Sequence, residues 1–155
     1  MLAQRVSSLA ERPTIIRMDG SADLSECYKL RRAVFVEEQQ VAPAEDTDGT
    51  DPLYTHYLMR FEHKPVATAR ARILENGDGK IGRFCVLKEC RGKGLGLQFL
   101  LHILEDMKRD KKLKKVTLSA QTQAIPFYEK AQFRAYGKEY MDARIPHYDM
   151  VLEVQ

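Results

Sequence analysis

Apolar and polar positions change period several times along the chain. Ile15, Ile16 and Met18 form a short strand-like group. Ser21-Ala22-Asp23 then offers helix-capping chemistry, and Leu24, Cys27, Tyr28, Arg31 and Phe35 share the inner face of a helix running to about Phe35. Three strand-like runs follow at Tyr54–Phe61, Pro65–Leu74 and Lys80–Val86. They are separated by Glu62-His63-Lys64 and Glu75-Asn76-Gly77-Asp78-Gly79, both hairpin-turn chemistry, so an antiparallel meander is predicted. Leu97, Leu100, Leu101 and Leu104 then recur at helical spacing, which predicts a helix to about Asp110. Val116, Leu118 and Ala120 alternate as a strand, Ile125–Ala131 reads as a short helix, and Phe133–Tyr140 and Asp149–Val154 as two closing strands. The order is that of an α/β (α+β) protein with a mixed sheet.

A length of 155 residues with 44% hydrophobic and 30% charged content supports a real core and predicts one domain over 1–155, with 1–13 as a tail or short docked helix. The net charge of +3 does not call for nucleic acid. The basic run Lys108–Lys115 lacks aromatic interleaving and reads as cations at a helix C-terminus. Cys27, Cys85 and Cys90 have no CxxC spacing, which argues against a disulfide framework or a metal site and for a reducing, cytoplasmic setting. No stretch has the apolar length of a membrane span, and no secretory pattern opens the chain. Between Val41 and Pro52, Glu45, Asp46, Asp48 and Asp51 make an acidic loop with no basic residue, which points to a cationic ligand.

The chemistry concentrates at Arg91-Gly92-Lys93-Gly94-Leu95-Gly96, between a strand and an amphipathic helix. Alternate glycines let a backbone approach a ligand closely, and a helix N-terminus presents unpaired N–H groups to an anion such as a pyrophosphate. A dinucleotide fingerprint would need glycine where Leu97 stands, and the GxxxxGK[ST] phosphate loop is absent. A bare tight turn is the remaining alternative.

This segment resembles the R/Q-x-x-G-x-G/A signature of GNAT-type acetyltransferases, and Ala124-Ile125-Pro126-Phe127-Tyr128-Glu129-Lys130-Ala131-Gln132-Phe133 resembles the family's A-x-x-x-Y-E-K-x-G-F segment. Leu30–Gln39, His56, Ala69–Leu74 and Ile145-Pro146-His147 are similar to the ElaA-like branch. Gln132 departs from the usual glycine, and Gln121 stands where many relatives carry asparagine.

The resemblance implies a meander followed by β-α-β-α with a splayed central strand, and transfer of acetyl from acetyl-CoA to a primary amine of a small molecule or peptide. It places the cofactor on Arg91, Gly92, Lys93, Gly94, Leu95 and Gly96, along Phe84, Cys85 and Val86, and beside Gln121, Ala124 and Phe127. It makes Tyr128 the acid for the departing thiolate, although by spacing alone Tyr128 reads as a core aromatic. Glu38 is the first choice of base, with His147 and His56 in competition, and Glu37, His56, Arg70, Arg72 and His147 are candidates for the acceptor side. Cys85 has no activating neighbour in sequence, which argues against a covalent intermediate. The resemblance is compatible with a homodimer. The readings set against it are a catalytically inactive CoA-binding regulatory module and an RNA-associated domain resting on the lysine run.

Overall fold

The meander expected from the hairpin turns is the first half of a seven-stranded sheet. The computed structural model describes residues 12–155, so the tail or docked helix expected at 1–13 lies outside the described residues apart from Arg12 and Pro13. The strands are β1 (Thr14–Met18), β2 (Thr55–Phe61), β3 (Lys64–Ile73), β4 (Asp78–Val86), β5 (Lys115–Gln121), β6 (Arg134–Asp142) and β7 (Ile145–Glu153). Their order is β1-β2-β3-β4-β5-β7-β6, and only the β4–β5 neighbours run parallel.

Strand alternation explains the layering. On β3, Ala67, Ala69 and Ala71 are buried in the same cluster as Phe99, Leu100, Ile103 and Leu104 of helix α3 (Leu95–Met107). Small side chains on the sheet let this helix pack closely, and each large apolar residue so buried contributes about 1.5–3 kcal/mol. On the other face, Leu58 and Cys85 pack with Leu24, Cys27, Leu30 and Val34. These last belong to helix α1 (Ser25–Arg31), its preceding residue Leu24 and its π-helical continuation Arg32–Glu38.

Several boundaries differ from expectation. Helical structure continues to Glu38 rather than stopping near Phe35, and Tyr28 is 42% exposed while Leu30 and Val34 take the inner face. Leu24, Cys27, Leu30, Arg31 and Val34 still share one face at helical spacing, and Tyr28 falls outside it. The acidic loop contains a short helix α2 (Pro43–Asp46) and a 3₁₀ turn at Asp51–Leu53. Helix α3 ends at Met107 rather than Asp110, and the short helix α4 spans Ile125–Glu129. The last two strands reach further than expected because they meet in a tight turn at Ala143-Arg144, both with positive φ (49° and 65°) and with no glycine to mark it.

Candidate active site

Only Asp78, Gly79 and Lys80 of β4 pair with β5, opposite Lys115, Val116 and Thr117; beyond them the two parallel strands part. A bulge enforces the divergence. Thr68 pairs with Cys85 and Arg70 with Gly82, so β4 carries an extra residue, and Arg83 takes a left-handed φ of 50°. The gap opens into a cleft of about 690 Å³. Its β4 wall is Ile81–Val86, and its β5 wall includes Leu118, Ser119 and Gln121. The Leu87 N–H bonds the Val66 carbonyl across β3, so alternation turns the Val86 peptide toward the open side.

The glycine segment closes one end of this cleft. Gly94 stands at the start of α3 with φ 80°, a conformation that favours glycine, and a Cβ there would meet nothing within 4 Å, so its outer face is open. A Cβ at Gly96 would press on the Phe127 ring at 3.3 Å. The first intrahelical bond of the turn is Gln98 N–H to the Gly94 carbonyl, which leaves the amides of Leu95, Gly96 and Leu97 without helical acceptors. Leu95 itself is buried in the core, and Lys93 is exposed and does not line the cleft, so these two offer main chain or nothing to a ligand there. Gly92, Gly94, Gly96, Ala124, Phe127, Gln121 and Arg91 do line it.

The side chain of Arg91 is not free to meet an anion. Its Nε donates to the Val86 carbonyl at 3.0 Å, and its Nη1 and Nη2 donate to the two Glu38 oxygens at 2.7 Å each. Arg91 thereby ties the glycine segment, the end of β4 and the end of the π-helical segment into one unit. The same contact holds the Glu38 carboxyl below the usual carboxylate range. A carboxylate so occupied is a poor base, and Glu38 does not line the cleft. Glu37 is exposed beside Arg32 at 3.9 Å.

Tyr128 reaches the cleft from α4, 8% exposed, among the rings of Phe84, Phe127 and Phe133 at 5.1–6.1 Å. Burial raises its pKa, so the phenol stays protonated at neutral pH. Its position is set by the end of the helix. The Phe133 N–H bonds the Tyr128 carbonyl and the Gln132 N–H bonds the Glu129 carbonyl, with Gln132 at φ 74°. This is a Schellman motif in which Gln132 fills the left-handed place that glycine prefers. Burial also pushes the Cys85 thiol up to about 12, so it is not a nucleophile.

The expected acceptor residues divide. His147 lines the cleft, stacks on Tyr140 at 6.0 Å, and its Nδ1 lies 2.7 Å from the Ile145 carbonyl. A carbonyl can only accept, so Nδ1 carries hydrogen and the neutral ring presents Nε2 as an acceptor. His56, Arg70 and Arg72 do not line the cleft. His56 is 1% exposed with Nε2 donating to the Asp51 carbonyl, and burial lowers its pKa. Arg70 is buried, bonding Asp48 and Asp51 and stacking on Tyr54, over which Arg72 also lies.

The acidic loop is likewise spent internally. Arg31 bonds Asp46 and Asp51, Arg70 bonds Asp48 and Asp51, and Arg83 pairs with Asp46 and Asp48. Three arginines against three aspartates leave no surplus charge to draw a cation. Glu45 faces Arg144 at 3.4 Å. Sequence reasoning missed Gln39, whose Oε1 accepts from Gln121 Nε2 at 2.8 Å across the cleft, and nothing in its sequence neighbourhood signals that contact. Among the described residues no helix is long and apolar enough to cross a membrane, and no three His, Cys, Asp or Glu side chains cluster to hold a metal.

The family described as the acetyltransferase (GNAT) domain matches residues 24–154. The uncharacterized protein YyaT of Bacillus subtilis is 40% identical over 143 residues, covering 90% of this chain and 95% of its own. The uncharacterized N-acetyltransferase YjcF of the same organism is 38% identical, covering 83% of this chain and 91% of its own. The crystal structure of Escherichia coli ElaA superposes with a TM-score of 0.80 at 29% identity, covering 92% of this chain and all of that one. A sheet that parts beside a glycine turn and these matches agree: the chain belongs to the GNAT acetyltransferase family, whose fold binds CoA derivatives and whose chemistry is acyl transfer.

Proposed function

We propose that the protein transfers acetyl from acetyl-CoA to a primary amine by direct attack, with Tyr128 as the general acid. The observation that carries this reading is the parting of β4 from β5 after Lys80 and Thr117, next to an open glycine turn and in front of Tyr128. Bound acetyl-CoA supplies an acyl carbon already activated as a thioester. The amides opening α3 hold its pyrophosphate, and Gly94 leaves open the room that a side chain would fill. The unpaired edge at Phe84, Cys85 and Val86 takes the amide-bearing arm as a sheet takes an added strand. A main-chain donor at Val86 faces the carbonyl oxygen of the acyl group.

Tyr128, kept protonated by burial, gives its hydrogen to the departing thiolate. His147 takes the proton from the amine, through water where the acceptor does not reach it, because it alone of the three candidate bases Glu38, His56 and His147 lines the cleft. The activity belongs to the cytoplasm, a reducing compartment that suits the free Cys27, Cys85 and Cys90. Acetyl-CoA is expected to raise the melting temperature, and release of free thiol with a panel of amines separates an enzyme from a module that only binds CoA. A protein whose melting temperature ignores both CoA and acetyl-CoA does not have this function.

A further inference from the structure

Of the three arginines packed against the acidic loop, Arg83 differs from the other two. Arg31 and Arg70 are buried; burial alone would lower their pKa values, but Asp46, Asp48 and Asp51 hold them up. Arg83 is lowered instead, first by burial and then by Arg70. Its Nε and Nη2 donate to the Asp46 carbonyl and Nη2 also to the Glu45 carbonyl and the Asp48 carboxylate. Nη1 has no partner among the described residues. Arg83 lines the cleft with its side chain 27% exposed, and it sits at the bulge with a left-handed φ of 50°. That conformation costs a side-chain-bearing residue about 1 kcal/mol and concentrates at functional positions.

Val34, Phe35, Val41 and Ile145 give the same cleft apolar walls. A guanidinium with one spare nitrogen, fixed by its other two, suits a carboxylate more than a second cation.

We propose that Arg83 anchors the acceptor, and that the acceptor is a small amine bearing a carboxylate, of the amino-acid class with an apolar side chain. This rests on the acetyl-transfer reading. The carboxylate takes Arg83 Nη1, the side chain lies on the apolar walls, and the amine attacks the acyl carbon: an N–C bond forms, the C–S bond breaks, and the thiolate leaves with a proton. The carboxylate does not react.

Matched acceptors test it: leucine against leucinamide, and methionine against methioninamide, each with acetyl-CoA and a free-thiol readout. The amide has the more readily neutral amine, so a preference for the acid cannot come from amine basicity. We expect the acid to be favoured in kcat/KM by roughly 10-fold or more, the worth of one charge-assisted hydrogen bond. In Arg83→Gln that ratio should fall to about 1, and Arg83→Lys should recover part of it, while acetyl-CoA still raises the melting temperature of both variants.

Wild-type protein that turns over the amide as well as the acid overturns the proposal. So does an Arg83→Gln loss equal for both members of a pair, or turnover of neither member while acetyl-CoA still stabilises the protein. Absence of that stabilisation in the wild type overturns the underlying reading as well.

Discussion

Arg91 and Glu38 meet through two parallel hydrogen bonds of 2.7 Å, although 53 positions separate them. The pair joins the glycine segment at one end of the cleft to the end of the π-helical segment. Glu38→Gln should therefore act on how the glycine segment is held, not on proton transfer. The pair is partly exposed, so it contributes at most about 1 kcal/mol. Steady-state kinetics should show the KM for acetyl-CoA rising by no more than about 5-fold, with kcat little changed. A loss of kcat of ~10²-fold or more would return Glu38 to the role of base.

Tyr128 and His147 should divide the proton chemistry between them. Tyr128→Phe keeps the packing among Phe84, Phe127 and Phe133 and removes one hydroxyl, so kcat should drop by ~10²-fold while acetyl-CoA binding by calorimetry is unchanged. His147→Gln should lower kcat by roughly 10²-fold while acetyl-CoA still raises the melting temperature as it does in the wild type.

Gln132 offers a gain in stability. Its φ of 74° is one that glycine adopts freely, and its side chain is exposed. Gln132→Gly should stabilise the protein by about 0.5–1 kcal/mol in chemical denaturation, the left-handed penalty less the added entropy of the unfolded glycine. Activity should be retained, because the backbone that positions Tyr128 is the same.

Stability should fall with pH in two stages. His56 has a folded pKa depressed below its ordinary 6.5 by burial, so the unfolded chain binds its proton first. Stability is full above about 6.5 and declines as pH falls toward the folded value. Glu38, Asp48 and Asp51 also have depressed values, the first two through Arg91 and Arg70, and Asp51 because Arg31 and Arg70 outweigh its burial. Their contribution is present above about 4 and lost below it. Thermal melts across pH 3–8 should show both stages, and His56→Asn, if folded, should remove the upper one.

The parts of this molecule that are legible in its sequence are those that speak locally. Three glycines before an amphipathic helix announce the turn, and the alternation of Ala67, Ala69 and Ala71 with Thr68, Arg70 and Arg72 announces a strand between two different layers. The Ala143-Arg144 turn was hidden because left-handed residues without glycine leave no mark. The acidic loop misled for another reason: its charge is cancelled by Arg31, Arg70 and Arg83, which lie outside it in sequence, so local charge counting could not see the cancellation. The contacts of His56 and Glu38 were hidden in the same way, each engaged by a partner outside its own element.

The interlocked arginines and aspartates also constrain how this protein could change over evolutionary time. Arg31, Arg70, Asp46 and Asp51 depend on one another, and replacing any one strands a buried charge at a cost of about 3–5 kcal/mol. That approaches the whole stability of a typical domain. Asp46, the one of the four that lines the cleft, is therefore closed to single-step variation, and a lineage seeking a new acceptor must vary other lining positions such as Phe35, Val41 and Ile145.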